Sequence, residues 1–126
     1  MQHSTEKPTK DEAAWIERVL RWGCVCCIEA GYRNGKERVE YHHIVEGGRR
    51  LGHFFGLPLC VGHHQGRWSA RQIRLLPEKR RVAISDGRSA FAAAFDTERG
   101  LWEVVREVTG LSVEWPTSKI LPRRLA

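Results

Sequence analysis

Arg38-Val39-Glu40-Tyr41-His42-His43-Ile44 and, downstream, Pro58-Leu59-Cys60-Val61-Gly62-His63-His64 are the two runs around which the chain is organised. The first alternates well enough over 38–42 for a strand, with Val39 and Tyr41 on one face. Leu57-Pro58-Leu59-Cys60 reads as a second short strand. Pro58 has no N–H for a ladder, so this holds only at a sheet edge or a strand start. Between them, Glu46-Gly47-Gly48-Arg49-Arg50-Leu51-Gly52 reads as a loop, with glycines where unusual backbone angles are needed. A helix is expected over 63–70. The local order across 38–70 is strand, loop, strand, helix.

The cysteines are Cys24, Cys26, Cys27 and Cys60. Three of them crowd into one tetrapeptide, a poor layout for two independent disulfides, and no signal-peptide apolar region points to an oxidising compartment. Cys24-x-x-Cys27 and Cys60-x-x-His63 instead each offer two ligands at the spacing of a structural zinc half-site, and Zn²⁺ takes four such ligands tetrahedrally. Cys24 or Cys26 is the partner of Cys27; spacing favours Cys24 and leaves Cys26 over as a thiol.

His42, His43, His63 and His64 form two adjacent pairs. A helix turns by about 100° per residue, so His63 can face the zinc turn while His64 faces a second site. Consecutive strand residues point to opposite faces, so His42 and His43 have different jobs unless the strand bends there. Metal-assisted phosphodiester hydrolysis needs a cation on the scissile phosphate and a base for the attacking water, and histidine suits the latter near neutral pH.

At 126 residues the chain fits one domain, with a core small enough to benefit from a metal staple. A formal net charge of +6 and a pI near 9.5 favour an acidic partner, nucleic acid first. No apolar run approaches the roughly 18 residues that span a bilayer, so no membrane association is expected and the cytoplasm is the expected location.

Residues 1–10 read as a polar, disordered tail. Thr9-Lys10-Asp11-Glu12 matches a capping box that starts a helix to about Trp22, with Ala14, Trp15, Val19 and Trp22 as its apolar stripe and Gly23 as terminator. From 23 to 35 a tight turn around the cysteines and an irregular loop are expected. Arg67, Arg71, Arg74, Lys79, Arg80 and Arg81 make a basic segment, either a solvated face or a phosphate contact. Trp68 stacks on a base or belongs to the core; Trp15, Trp22 and Trp102 read as core. Residues 80–84 form a strand or a loop, and Ser85 or Asp86 caps a helix through Phe95. Asp96 or Thr97 caps another that ends before Gly110, with Leu101, Val104, Val105 and Val108 buried. Beyond Gly110, Pro116 and Pro122 suggest a segment lying along the surface.

The pattern Cys24-x-x-Cys27, Tyr41-His42-His43-Ile44, Gly47-Gly48, Leu59-Cys60-x-x-His63-His64 resembles HNH (ββα-metal) endonucleases with a zinc-bound scaffold. The fuller run, with Gly52-His53 and a later helix start at Phe95-Asp96-Thr97-Glu98, is similar to phage Ref-like, RecA-dependent recombination-enhancement nucleases. The resemblance implies an α+β fold, a small zinc-stabilised ββα-metal core with flanking helices. Residues 11–111 would be the nuclease domain and 112–126 a C-terminal extension. It implies a DNA endonuclease acting where a RecA filament lies on single-stranded DNA.

By position, the resemblance makes His43 the general base, His42 and His64 the ligands of a catalytic divalent ion, and Cys24, Cys27, Cys60 and His63 the zinc ligands. Many HNH proteins have Asp where this chain has His42. The catalytic ion would thus be Mg²⁺ or, given the histidine, Mn²⁺ or another transition metal. The usual loop Asn is missing; His53 either replaces it in orienting the site or ties down the loop. Arg49, Arg50, Arg67, Arg71, Arg80 and Arg81 are the expected DNA contacts, Arg being permanently charged and bidentate. Two rivals are a silent zinc-binding DNA module, which needs no His43, and a restriction or homing HNH enzyme, which usually carries an added specificity domain.

Overall fold

The computed structural model describes residues 6–33 and 37–116. The ends of the expected tail and C-terminal extension, at 1–5 and 117–126, lie outside them, and so does Pro122. The fold mixes helix and strand around one small antiparallel sheet.

Helix α1 runs Lys10–Trp22 behind the expected capping box, in which Thr9 Oγ1 accepts from the Glu12 amide at 3.1 Å and Glu12 returns a carboxylate oxygen to the Thr9 amide at 2.8 Å. Its buried face is narrower than the apolar stripe suggested. Trp15 and Val19 are buried, Trp22 is half-buried and Ala14 is exposed. Residues 25–29 coil into a short helix, α2 (Val25–Glu29), where a turn and loop were expected. Its cap is Cys24.

Strands β1 (Val39–His43) and β4 (Gly56–Cys60) pair antiparallel from Val39 opposite Cys60 to His43 opposite Gly56. With only two strands, each keeps one edge outside the ladder, so Pro58 sits opposite Tyr41 in mid-strand without breaking the pairing. All of β4 is buried, packed on by α1, α2, α3 and α6.

The expected loop at 46–52 holds a small ribbon instead. Strands β2 (Val45–Glu46) and β3 (Arg49–Arg50) pair across Gly47 and Gly48, whose φ angles of 61° and 78° make the two-residue turn that suits strand twist.

Helix α3 (Val61–Gln65) starts at Cys60 and stops at Gly66, in the left-handed conformation at φ 81°, rather than running to Ala70. Ser69 and Gln72 then form a second capping box for α4 (Ala70–Leu75). Residues 78–80 and 84–86 are short 3-10 turns, not a strand. Asp86 spends its carboxylate on the Ala83 amide at 2.9 Å, and Gly87 precedes α5 (Arg88–Ala94), so neither Ser85 nor Asp86 caps it.

Thr97 caps the last helix, α6 (Glu98–Thr109), and Gly110 ends it. Leu101, Trp102, Val105 and Thr109 face inward, while Val104 is half-buried and Val108 is 54% exposed. The inward face is centred on Trp102. It can include a threonine because the Thr109 hydroxyl accepts from the Trp15 indole at 3.0 Å and donates to the Val105 carbonyl at 2.7 Å. That bond ties α1 directly to α6.

Candidate metal centre and hydrolytic site

Two matching turns build the cysteine cluster. Cys24 caps α2 and its sulfur accepts from the Cys27 amide at 3.4 Å; Cys60 caps α3 and accepts from the His63 amide at 3.4 Å. In each half the second ligand stands three residues after the first, so both side chains of the half converge.

The four donors are buried and lie within 4.8 Å of one another. Cys27 Sγ is 3.8 Å from Cys60 Sγ, and His63 Nδ1 is 3.5, 3.5 and 3.4 Å from the sulfurs of Cys24, Cys27 and Cys60. Tetrahedral Zn²⁺ with bonds of about 2.3 Å to sulfur and 2.0–2.1 Å to nitrogen requires edges of about 3.8 and 3.5 Å. The donors therefore fit a structural zinc ion in type, number and spacing.

The surroundings orient them. His63 Nε2 donates to the Arg80 carbonyl at 3.0 Å, which leaves Nδ1 for the metal. Gln72 donates to Cys60 Sγ at 3.2 Å and Cys27 Sγ at 3.7 Å. Trp68 and Phe95 meet the His63 ring edge-on at 4.9 and 5.1 Å, so Trp68 packs beside the cluster. Cys26 is fully buried outside it, and burial together with the Cys24 thiol beside it pushes its own thiol far up, so it stays protonated.

The other histidines are sorted by the alternation of β1. Glu40 and His42 share one face, and that face meets α3: the His42 and His64 ring centroids are 5.3 Å apart, and His64 Nδ1 lies 2.7 Å from Glu40 Oε1. Nδ1–H donating there leaves His64 Nε2 free. Glu40 also accepts from Gln65 and Arg38, and these three bonds hold its carboxyl down to about 2. His42 Nε2 faces Glu98 Oε2, from the first turn of α6, at 3.5 Å. Among the described residues, only the cysteine cluster brings three or more donors this close together.

Tyr41 and His43 share the opposite face, their rings edge-on at 5.1 Å. His43 Nε2 lies 3.1 Å from His53 Nδ1, and His53 Nε2 lies 2.6 Å from the Glu6 carbonyl. A carbonyl can only accept. A neutral His53 therefore carries its proton on Nε2 and accepts at Nδ1 from His43 Nε2–H, which leaves His43 Nδ1 with a free lone pair. Burial, then the charges of Arg50, His53 and His42, push His43 down to about 4. His53 is held in turn: Tyr41 donates to its carbonyl at 2.7 Å, and Trp102 donates to the Phe54 carbonyl at 2.8 Å.

Arg49, Arg50, Arg67 and Arg71 lie on the surface. Arg80 and Arg81 are half-buried and already engaged. Arg80 donates to the Ala94 carbonyl at 2.8 Å and covers the Phe95 ring; Arg81 donates to the Leu76 carbonyl at 2.9 Å at the end of α4. Replacing either thus disturbs packing as well as charge. Sequence reasoning passed over Glu40, Gln72 and Glu98. Glu40 had a signal, two residues before His42 on the same strand face; Glu98, 56 positions beyond His42 in the chain, had none.

Among the described residues, no helix is long and apolar enough to cross a membrane. No curated protein matches the chain. A family model described as recombination enhancement, RecA-dependent nuclease matches residues 8–109, spanning the zinc cluster and every histidine just described. The chain belongs to that family of RecA-dependent nucleases, enzymes that act on nucleic acid.

Proposed function

We propose that the chain is a metal-dependent, HNH-type endonuclease that hydrolyses DNA phosphodiesters, with residues 11–111 as its nuclease domain. The observation that carries this reading is the chain of contacts from His43 through His53 to the Glu6 carbonyl, which leaves His43 Nδ1 unprotonated and free to take a proton. In this role His43 removes a proton from the attacking water, and His53 holds the ring in the required tautomer. That is the work of the loop Asn absent from this chain. His42 and His64 would hold a divalent ion, which when bound neutralises the scissile phosphate and the departing oxygen. Mg²⁺ or Mn²⁺ suits that task. Glu40 turns His64 so that Nε2 faces the site.

A phosphate lying across the C-terminal end of β1 would meet both faces of the strand, His42 on one and His43 on the other. Arg49 and Arg50 extend from the neighbouring ribbon and would grip the flanking phosphates, with Arg67 and Arg71 farther along the backbone. The family's dependence on RecA supports single-stranded DNA within a RecA filament, or duplex engaged by it, as the substrate.

The test is a nicking assay on single- and double-stranded DNA, with and without a RecA filament, for the native chain and His43→Ala. The native chain should cut in a metal-dependent way. His43→Ala should keep its zinc and DNA affinity and lose about 10²–10⁴-fold in rate, without rescue by added metal. Full activity in His43→Ala would refute the mechanism. No cutting by the native chain under any of these conditions would favour a silent zinc module.

A further inference from the structure

We infer that Glu98 is a direct ligand of the hydrolytic ion, supplying from α6 the carboxylate that the strand position of His42 lacks. The inference rests on the proposed reading of His42 as an ion ligand and adds to it a residue far along the chain.

The starting observation is a pair of orphaned atoms. His42 Nε2 and Glu98 Oε2 are both buried, face each other at 3.5 Å, and have no hydrogen-bond partner. Buried polar atoms are nearly always bonded, and a carboxylate more than most. An imidazole and a carboxylate that merely oriented one another would close to a hydrogen bond, as Glu40 and His64 do at 2.7 Å. Two atoms bound to one ion at about 2.1 Å stand about 3.0 Å apart at octahedral cis angles and about 3.4 Å apart at tetrahedral ones, so a pair at 3.5 Å closes on either kind of ion by a side-chain movement of about half an ångström. The cysteine cluster displays the same spacing between its sulfurs and His63 Nδ1, 3.4–3.5 Å.

The surroundings suit an ion there. Arg88 Nε stands 3.5 Å from the same Glu98 oxygen while its Nη2 donates to the Val45 carbonyl, so an anchored cation helps keep that carboxyl ionised. Glu98 also lines a cavity of about 210 Å³ with Ile44, Arg88, Phe91 and Arg99; His42 and His64 do not line it, so it brings water only to the Glu98 side of the pair.

The chemistry agrees. Mg²⁺ and Mn²⁺ prefer oxygen, and two imidazoles alone would be a poor hold for either. Mg²⁺ is commonly held by one or two carboxylates, with water and substrate phosphate filling the other positions. Glu98 with His42 is such a partial hold, and His64 stands next to it.

The experiment is an electron paramagnetic resonance titration of the zinc-loaded full chain with Mn²⁺, without DNA, so that cleavage is not the readout. The native chain and His43→Ala should bind one Mn²⁺ beyond the zinc. Glu98→Gln and Glu98→Ala should each weaken that binding to a similar extent, and by more than the roughly 10–100-fold that loss of an outer-shell partner costs. Glu98→Asp should keep part of it, with zinc content and melting temperature confirming that each variant folds. If Glu98→Gln binds Mn²⁺ as the native chain does, or far better than Glu98→Ala, then Glu98 only hydrogen-bonds His42 and the inference is overturned. The nuclease reading would survive that result provided the native chain still cuts DNA. A native chain that takes up no Mn²⁺ and cuts nothing would overturn both.

Discussion

Gln72 is a buried amide whose two ends do separable work, and this makes it the sharpest probe of the zinc cluster. Its oxygen accepts from the Ser69 amide at 3.0 Å and closes the cap of α4; its nitrogen donates to Cys60 Sγ at 3.2 Å and Cys27 Sγ at 3.7 Å. The orientation is forced, because only the oxygen can accept from Ser69. Zinc-bound cysteines carry negative charge that these N–H groups offset. Loss of such an outer partner typically weakens metal binding about 10–100-fold, or about 1.4–2.7 kcal/mol. Gln72→Leu removes both ends and adds about 1 kcal/mol of lost capping, so it cannot separate them. Gln72→Glu can. It keeps the acceptor for Ser69 while setting a carboxylate against two thiolates. Zinc affinity, measured by competition with a chromophoric chelator, should fall in the order native, Gln72→Leu, Gln72→Glu. Zinc-saturated thermal unfolding should show α4 no worse capped in Gln72→Glu. If Gln72→Glu holds zinc as tightly as the native chain, the sulfurs do not carry the charge that a zinc site requires.

The remaining predictions are shorter. Cys60→Ala should leave the chain poorly folded, because a structural zinc contributes folding energy directly; a well-folded, zinc-free Cys60→Ala protein by circular dichroism and metal analysis would count against the cluster's role. His43 acts as a base only when neutral, so activity should fall as pH drops through its lowered value near 4, and a bound cation would push that value the same way. Arg50→Gln removes one of the charges holding it down, so the acid limb of the rate profile should move to higher pH; no movement, or the opposite one, would refute Arg50 as a cause. DNA affinity should also drop steeply with rising salt, and more gently in Arg49→Gln/Arg50→Gln, if phosphate contact dominates.

Much of the fold was legible because local chemistry decided it. The capping box at Thr9, the Thr97 cap and the Gly110 stop each depend on residues within four positions of one another, and each forms as expected. The zinc set was legible for the same reason, since a cysteine at a helix cap and a ligand three residues on converge in any context. What failed was longer in range. Nothing local says that Val108 is exposed while Thr109 is buried, because the Trp15 indole from the opposite end of the chain decides it. The 46–52 run reads as a loop because strands of two residues leave no alternation to detect, and the turn at its two consecutive glycines shows only in the pairing of Val45–Glu46 with Arg49–Arg50. Glu98 was invisible to any local rule, since only packing of α6 against the sheet brings it to His42.

The alternation of β1 and the rotation of α3 together make the cysteine cluster and the proposed hydrolytic site one mechanical unit. His63 and His64 are neighbours on a helix of only five residues, too short to hold its shape without tertiary support. What positions that helix is the zinc end: Cys60 at its cap, His63 locked between cluster and Arg80 carbonyl, and Trp68 and Phe95 closed on the His63 ring. His64 inherits its direction from these contacts, and Glu40 only fixes the rotation of its ring. The strand side obeys the same logic, because Cys60 is the register partner of Val39 and so pins the start of the strand that ends in His42 and His43. Loss of zinc should therefore disturb His42 and His64 together while leaving α1 and its cap largely intact, since no zinc ligand lies within α1. Histidine NMR signals followed during chelation would show the order of events. His64 should shift along with His63, and a His64 that held its position while His63 was released would mean that Glu40, not the zinc, sets the site.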